Sequence, residues 1–594
     1  MAAGFSRHLL DHRSTVPPMG APGNPTATSS ADAGAPEPVS AARPVLRSLS
    51  DVYRYFRENT RPIYFVSPTP YNLLGIDEWV GDFRYVTYFD SFDGAHARSF
   101  SPSHAGPREF ESFESVNSYL LGNKEVIDHI HAHGPGQVLF VMFDEETEEL
   151  ATELGLEIAL PPRGLRHRID SKIVTTRLGD EADVASVPNM LGEAGSYAEL
   201  IVLARSAGLG TNLVVQTPYG DSGRTTFFIA TEGDWDDHCD VFVGTELKVM
   251  RQINHFPGTV EAVATRHGTV VGPIQTDITG YSELTPYRGG WCGNDVYPVV
   301  FDETVRLRIR EMARRLGGRL YAEGYRGVFC LDFLVDTDDG TVYLGEINPR
   351  ISGASPLTNL ITSRYGGLPL FLFHLLEFAD VEWEIDLEAV QARWQDFDHW
   401  TQLVLKQVTD EVELVTQAPA SGLWRLEEDG TIRFLRPETD WHNVGGHDEA
   451  FYLRVHGIGE YRYPGADIGI LVTRDRMQTD NRELLDRGAK WAKALGRAVQ
   501  RPATARTDRD TTRAALCEVV LKRGRPDCGS SLAASVDRRR RRHVRRRRQG
   551  SGTTEVVPLT HPDAEGAEGL LLGGRLDTLG DDLGAHVEGE GHER

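Results

Sequence analysis

The sequence predicts a multidomain protein of mixed α/β and α+β class, and three observations predict it. Between Pro62 and Leu160, apolar strand-like runs alternate with helical patterns, as in a small parallel α/β unit. From Val328 to Ile347, two strand patterns fold back at the turn Asp336–Gly340 (DTDDG) and carry Asp332, Glu346 and Asn348. Beyond residue 400, short strand patterns recur and end in a helical stretch, which predicts an α+β region.

The chain has 594 residues, enough for about three or four domains. Its 40% hydrophobic and 25% charged residues are those of a globular protein diluted by some disordered sequence. No apolar run approaches the ~20 residues that span a bilayer, and the first residues hold no secretory core. The expected setting is therefore cytoplasmic, without a membrane partner. A net charge of −24 opposes general nucleic-acid binding, because phosphate contacts need a cationic surface. The five cysteines are scattered without metal spacing, which suits reduced thiols.

Residues 1–48 are rich in Ala, Pro, Ser, Thr and Gly and predict a disordered segment. A short helix over Leu49–Asn59 opens the α/β domain, residues 49–165. Its strands are Pro62–Ser67, Gln137–Phe143 and Glu157–Leu160, with a helix over Glu145–Leu154. His129, His131 and His133 read as solvated residues at a helix end, favoured there by the helix dipole, and not as a metal site.

The next unit, 166–380, begins with Asp170-Ser171-Lys172, good capping residues that place Lys172 in the first turn of a helix. Ser196 and Glu199 form a capping box for a helix ending at Gly208, and Leu213–Gln216 is a strand. The loop Thr217–Thr226 (TPYGDSGRTT) offers backbone N–H groups to phosphate oxygens but lacks the lysine and spacing of a P-loop. A strand over Glu246–Asn254 follows. Between Gln275 and Pro298, Tyr287, Arg288 and Trp291 stand amid glycines, as a site for a carboxylated substrate would require; a surface loop with aromatic plugs explains them equally well. A long helix over Asp302–Leu316 leads through Gly317-Gly318 to the hairpin, and Leu368–Phe378 closes the unit.

The hairpin carries the chemistry. Asp332 sits among Cys330, Leu331, Phe333 and Leu334, so its carboxylate needs a cation or hydrogen-bond partners. Asp332, Glu346 and Asn348 together are hard oxygen ligands suited to Mg²⁺ carrying nucleotide phosphates. Arg350, two residues on, can reach those phosphates as a planar multi-donor cation. Residues 381–500 are expected as an α+β cap, with a last helix over Asp480–Val499. Residues 501–594, with arginine blocks at 538–542 and 545–548, are compositionally foreign; a shifted reading frame or a basic patch both give such sequence, and disorder is expected.

The composite D-F-x(12)-E-I-N-P-R resembles the metal-binding signature of the ATP-grasp superfamily, the fold of biotin carboxylase and D-alanine–D-alanine ligase. The resemblance spans roughly residues 60–500. It implies an α/β pre-ATP-grasp domain, an ATP-grasp domain with a lid subdomain near 182–245, and a C-terminal cap. It implies ATP as cofactor with Mg²⁺ (or Mn²⁺) on Asp332, Glu346 and Asn348, and Arg350 as the catalytic residue on the transferring phosphoryl group. By alignment, Lys172 is an ATP-contacting lysine, and Gly220, Ser222, Gly223, Arg224 and Thr225 form the lid over the triphosphate. Gln216 stands where the family usually has lysine, with Lys248 or Arg224 to compensate. The backbone of Met250, Arg251 and Ile253 would bind adenine, and Glu261 the ribose hydroxyls. The implied reaction activates a small carboxylate as an acyl phosphate and joins it to an amine, either an amino acid or a peptide. Two alternatives stand beside it. A biotin carboxylase-like enzyme lacks its Cys-Ser-x-Gln-Arg-Arg segment here, and a catalytically silent ATP-binding protein has only Gln216 in its favour.

Overall fold

In a computed structural model, residues 45–103, 110, 112–220, 226–287 and 290–499 are described. Five strands make a wholly parallel sheet in the order Ser99–Phe100, Phe83–Thr87, Ile63–Ser67, Gln137–Leu139, Glu157–Ile158. The central strand, Ile63–Ser67, is buried along its whole length, as parallel strands covered on both faces must be. Helices Phe113–Gly122, Lys124–His133 and Glu145–Glu153 accompany it. The strand Gln137–Leu139 ends earlier than the run to Phe143 suggests, and the released segment 140–144 becomes a loop at the strands' C-terminal edge. His129 packs face to face on Phe100, centroids 4.3 Å apart, within the helix Lys124–His133.

A second sheet has four antiparallel strands in the order Asn189–Gly192, Leu247–Arg251, Leu213–Gln216, Thr226–Ile229. It has its own apolar core around Leu200, Leu213, Trp235 and Phe242. The third sheet has ten strands. Val342–Asn348, Gly327–Asp336, His255–Thr265, Gly268–Thr279 and Trp291–Val296 form one half. Trp400–Lys406, Asp467–Arg474, Glu449–Arg454, Gly422–Leu426 and Ile432–Arg436 continue it without a break. The region expected as a separate cap thus joins by backbone pairing of Trp400–Lys406 with Trp291–Val296, a non-local choice that strand patterns alone do not reveal.

The helix Glu303–Ala322 runs through Gly317-Gly318, where a break was expected. A Cβ on Gly317 would lie 2.2 Å from Thr269 Oγ1, so this glycine lets the helix pack directly on the strand Gly268–Thr279. The last helix begins at Asp486 and not at Asp480, after a turn in which Thr479 pairs with Glu483. No helix among the described residues is long and apolar enough to cross a membrane.

Candidate active site

Strand register builds the polar cluster. Asp332 faces Glu346 and Cys330 faces Asn348 across the hairpin, and Thr259 faces Asp332 from the next strand. Opposed residues of antiparallel strands project to the same side, so Thr259, Asp332, Glu346 and Asn348 share one face. All four are buried. Asn348 Nδ2 donates to Asp332 Oδ2 at 2.8 Å, and Thr259 Oγ1 lies 2.7 Å from Asp332 Oδ1. The same hydroxyl is 3.0 Å from Asp277 Oδ1, which also accepts from Asn294 Nδ2 at 2.7 Å. Thr259, Asp277 and Asn294 were missed from the sequence; their only signal there is placement on strands that prove to be neighbours.

Cations surround these acids. Lys172 Nζ is 3.0 Å from Glu346 Oε2 and donates to Gly220 O at 2.9 Å. The chain carries it there on the helix Lys172–Glu181, capped by the Ser171 hydroxyl, with Lys172 N donating to Pro218 O at 2.8 Å. Arg350 donates to Asn348 Oδ1 at 2.9 Å. Lys248, 1% exposed, reaches Gly345 O at 3.4 Å. Burial pushes Glu346 up to about 7, with Lys172 opposing that shift and Asp170 and Asp332 adding to it. Burial pulls Lys248 down to about 8, against the attraction of Glu346. Two buried carboxylates and an amide on one face, one of them held near protonation by burial, are a donor set that a hard divalent cation fits.

Gln216 is buried and donates to Thr226 Oγ1 at 3.0 Å. Its directly opposed partner in the small sheet is Lys248. The lysine absent from position 216 is therefore matched by one on the adjacent strand, on the same face.

Several expectations change. Glu261 is not free for ribose: its Oε1 accepts from Ser352 Oγ at 2.8 Å and from Ser355 Oγ, and it lies buried in the large sheet. Strand alternation aims it at the start of the helix Ser355–Gly366. In the linker, Arg251 N donates to Pro188 O and Gln252 N to Asn212 O, so those N–H groups are closed to a base. Met250 is paired on both sides, with Asn189 and Val214, which leaves Ile253 as the linker residue beyond the strand. Tyr287 packs over Gly465 and donates to Pro464 O at 3.2 Å, so it serves packing and does not reach the cluster as a ligand group. Trp291 is buried against Gly353, where a Cβ would lie 2.7 Å from its ring. Ser222, Gly223, Arg224, Thr225 and Arg288 lie outside the described residues.

No protein-family model and no curated protein matches the sequence. Solved structures similar in chain path include a carboxyaminoimidazole ribonucleotide synthase from Aspergillus clavatus complexed with ATP, at 12% identity and TM-score 0.44, covering 74% of this chain and 99% of that one. The biotin carboxylase domain of a 2-oxoglutarate carboxylase from Hydrogenobacter thermophilus, in complex with MgADP and bicarbonate, matches at 12% identity and TM-score 0.48, covering 70% and 87%. An N5-carboxyaminoimidazole ribonucleotide synthetase from Thermus thermophilus matches at 14% and 0.44, covering 75% and 100%.

Proposed function

We propose that this chain is an ATP-grasp ligase that uses ATP and Mg²⁺ to activate a carboxylate and join it to an amine. One observation carries the reading: register brings Asp332, Glu346 and Asn348 onto one buried face, ringed by Lys172, Lys248 and Arg350. Such a site is built for a polyanion held with a divalent cation. The small sheet with residues 166–253 and the large sheet's hairpin are the two sides between which the nucleotide lies, and residues 49–165 form the preceding α/β domain.

In this reading Asp332, Glu346 and Asn348 hold Mg²⁺, which when bound neutralises phosphate charge. Lys172 and Lys248 bind phosphate oxygens, and Gly220 belongs to the covering loop. The carboxylate oxygen attacks the γ-phosphorus, the bond to the β-phosphate oxygen breaks, and ADP leaves. Arg350 stabilises the charge on the phosphoryl group in flight. The amine nitrogen then attacks the acyl carbon; inorganic phosphate leaves, a proton is released, and an amide results. Positioning and electrostatics suffice, with no covalent enzyme nucleophile. The silent-binder alternative rested on Gln216 and loses weight, since Lys248 stands opposite it with its charge.

The test is Mg²⁺-dependent ADP release with paired panels of small acids and amines. Wild type should turn over, and Glu346→Gln should fold but release ADP at least ~100-fold more slowly. Wild-type-like turnover by that variant would remove the metal assignment.

A further inference from the structure

A second feature adjoins the cluster and was not legible as a motif. A cavity of about 250 Å³ lies between the loop at the C-terminal edge of the parallel sheet and the segment that follows Asn348. Arg166 and Arg350 line it together with Glu114, Asp144 and Asp170. Arg166 is buried, and among the described residues its guanidinium donates to Pro349 O at 3.2 Å and Val141 O at 3.3 Å and lies over the face of Phe143 at 4.7 Å. Arg350 is 8% exposed; one guanidinium nitrogen binds Asn348, and its Nε has no partner among the described residues.

Among the described residues neither guanidinium forms an ion pair, and two like charges buried side by side are costly to leave so. Burial lowers the Arg166 guanidinium from its ordinary value and the like charge of Arg350 adds to that, while Tyr325, Asp170 and Glu114 oppose it. The arrangement makes physical sense when an anion completes it. The acids in the wall, Glu114 and Asp170, attract Arg166 without pairing with it among the described residues. Neither makes an ion pair with any other described residue; Arg163 and His167 also line the cavity, and Arg163 is taken by Glu145 and Glu148. Asp144 uses one carboxylate oxygen to cap the helix Glu145–Glu153.

We propose that this cavity receives the acid substrate and that the substrate is a free amino acid: its carboxylate meets Arg166 and Arg350, and its ammonium meets the Glu114–Asp170 wall. The inference rests on the ligase reading and specifies its substrate. Arg350 touches both Asn348 and the cavity, so a carboxylate held there lies beside the proposed metal set. The volume suits one amino acid, not a long peptide. A simple dicarboxylate would leave the acidic wall facing like charge, which disfavours it.

The experiment uses the full chain in three arms. Binding of MgADP is measured first by titration calorimetry; absence of binding would overturn the ligase reading itself. With binding established, ADP release is screened with the twenty amino acids, their N-acetyl derivatives and their α-amides, each with a fixed amine pool. Turnover with a free amino acid, at least ~10-fold faster than with its N-acetyl and α-amide forms, is expected. Turnover only with N-acetylated or non-amino acids, or none with any acid, would overturn the inference. In the third arm, Arg166→Gln should raise KM for the amino acid at least ~10-fold with KM for ATP unchanged, while equal changes in both would mark Arg166 as structural. Should that variant not fold, the part-exposed Glu114→Gln decides: it should narrow the preference for the free over the N-acetyl acid, and an unchanged preference would refute the acidic wall.

Discussion

Replacing Lys248 with methionine should have two opposite effects, and the opposition is the informative part. The side chain is buried in the small sheet, and its ammonium is held at about 8 against an ordinary 10.5, chiefly by burial. That gap corresponds to roughly 3 kcal/mol by which the fold disfavours the charged form. The sign follows directly: below pH 8 native and unfolded chains both carry the charge, so at neutral pH the full penalty applies. Lys248→Met removes it while keeping length and apolar volume. Without nucleotide or metal, the variant should therefore be more stable than wild type, by up to ~3 kcal/mol, a figure already net of the attraction to Glu346. Nucleotide binding should move the other way. A charge-assisted contact to phosphate contributes about 1.5–3 kcal/mol, so MgATP affinity should fall by roughly 10- to 100-fold. Chemical denaturation and calorimetric MgADP titration of the same preparations read both effects. Wild-type affinity in the variant would mean that Lys248 does not face the nucleotide. Lower stability with unchanged affinity would make Lys248 a structural strut for Gly345.

Other expectations follow from the same geometry. Gln216→Lys places a second ammonium directly opposite Lys248, so MgATP binding should weaken and not tighten; tighter binding in titration would show that position 216 is an empty charge site. His374 is fully buried, its Nδ1 accepting from Val328 N at 3.0 Å and its Nε2 donating to Ala159 O at 2.9 Å, and burial pulls it down to about 4 from 6.5. Its folded-state value is depressed, so the neutral ring's stability is complete above pH 6.5 and lost as pH falls toward 4. Denaturation curves should lose about 2 kcal/mol between pH 6.5 and 5 from this group, and His374→Gln should flatten the slope. Gly317→Ala should lower stability by ~1–3 kcal/mol, since its Cβ meets Thr269; no change in thermal midpoint would show that the helix can shift away at little cost. A chain ending at Arg501 should keep ADP-forming activity, because every residue invoked here precedes it; a folded but inactive truncation would give the tail a role.

What could be read from the sequence was local. Asp332, Glu346, Asn348 and Arg350 lie within one hairpin, where spacing and the period of two fix their common face before any tertiary contact is known. Lys172 was placed by the capping residues before it. Lys248 was visible only as compensation for Gln216, because its position opposite that residue depends on pairing strand residues 32 apart in the chain. Glu261 was misplaced for the same reason: Ser352 and Ser355, about 90 residues on, take its carboxylate. The Arg166 cavity joins three segments, near 114, 142–170 and 349–350, and no short pattern contains them all. The C-terminal strands were recognised as strands, but their fusion with the large sheet is an edge pairing between Trp400–Lys406 and Trp291–Val296 that local pattern does not encode.

In the proposed reaction a carboxylate oxygen attacks the γ-phosphoryl group of ATP, and isotope transfer reports on that bond. A pool of amino acids and other small carboxylic acids, labelled with ¹⁸O in the carboxylate, is incubated with full-length protein, MgATP and an amine pool, and the phosphate products are analysed by mass spectrometry. An acyl phosphate opened by an amine at carbon leaves one labelled oxygen on inorganic phosphate, with ADP formed in equal amount. Labelled inorganic phosphate that disappears in Glu346→Gln is the predicted result. Label in AMP, or ATP consumption with no label in any phosphate product, would contradict it.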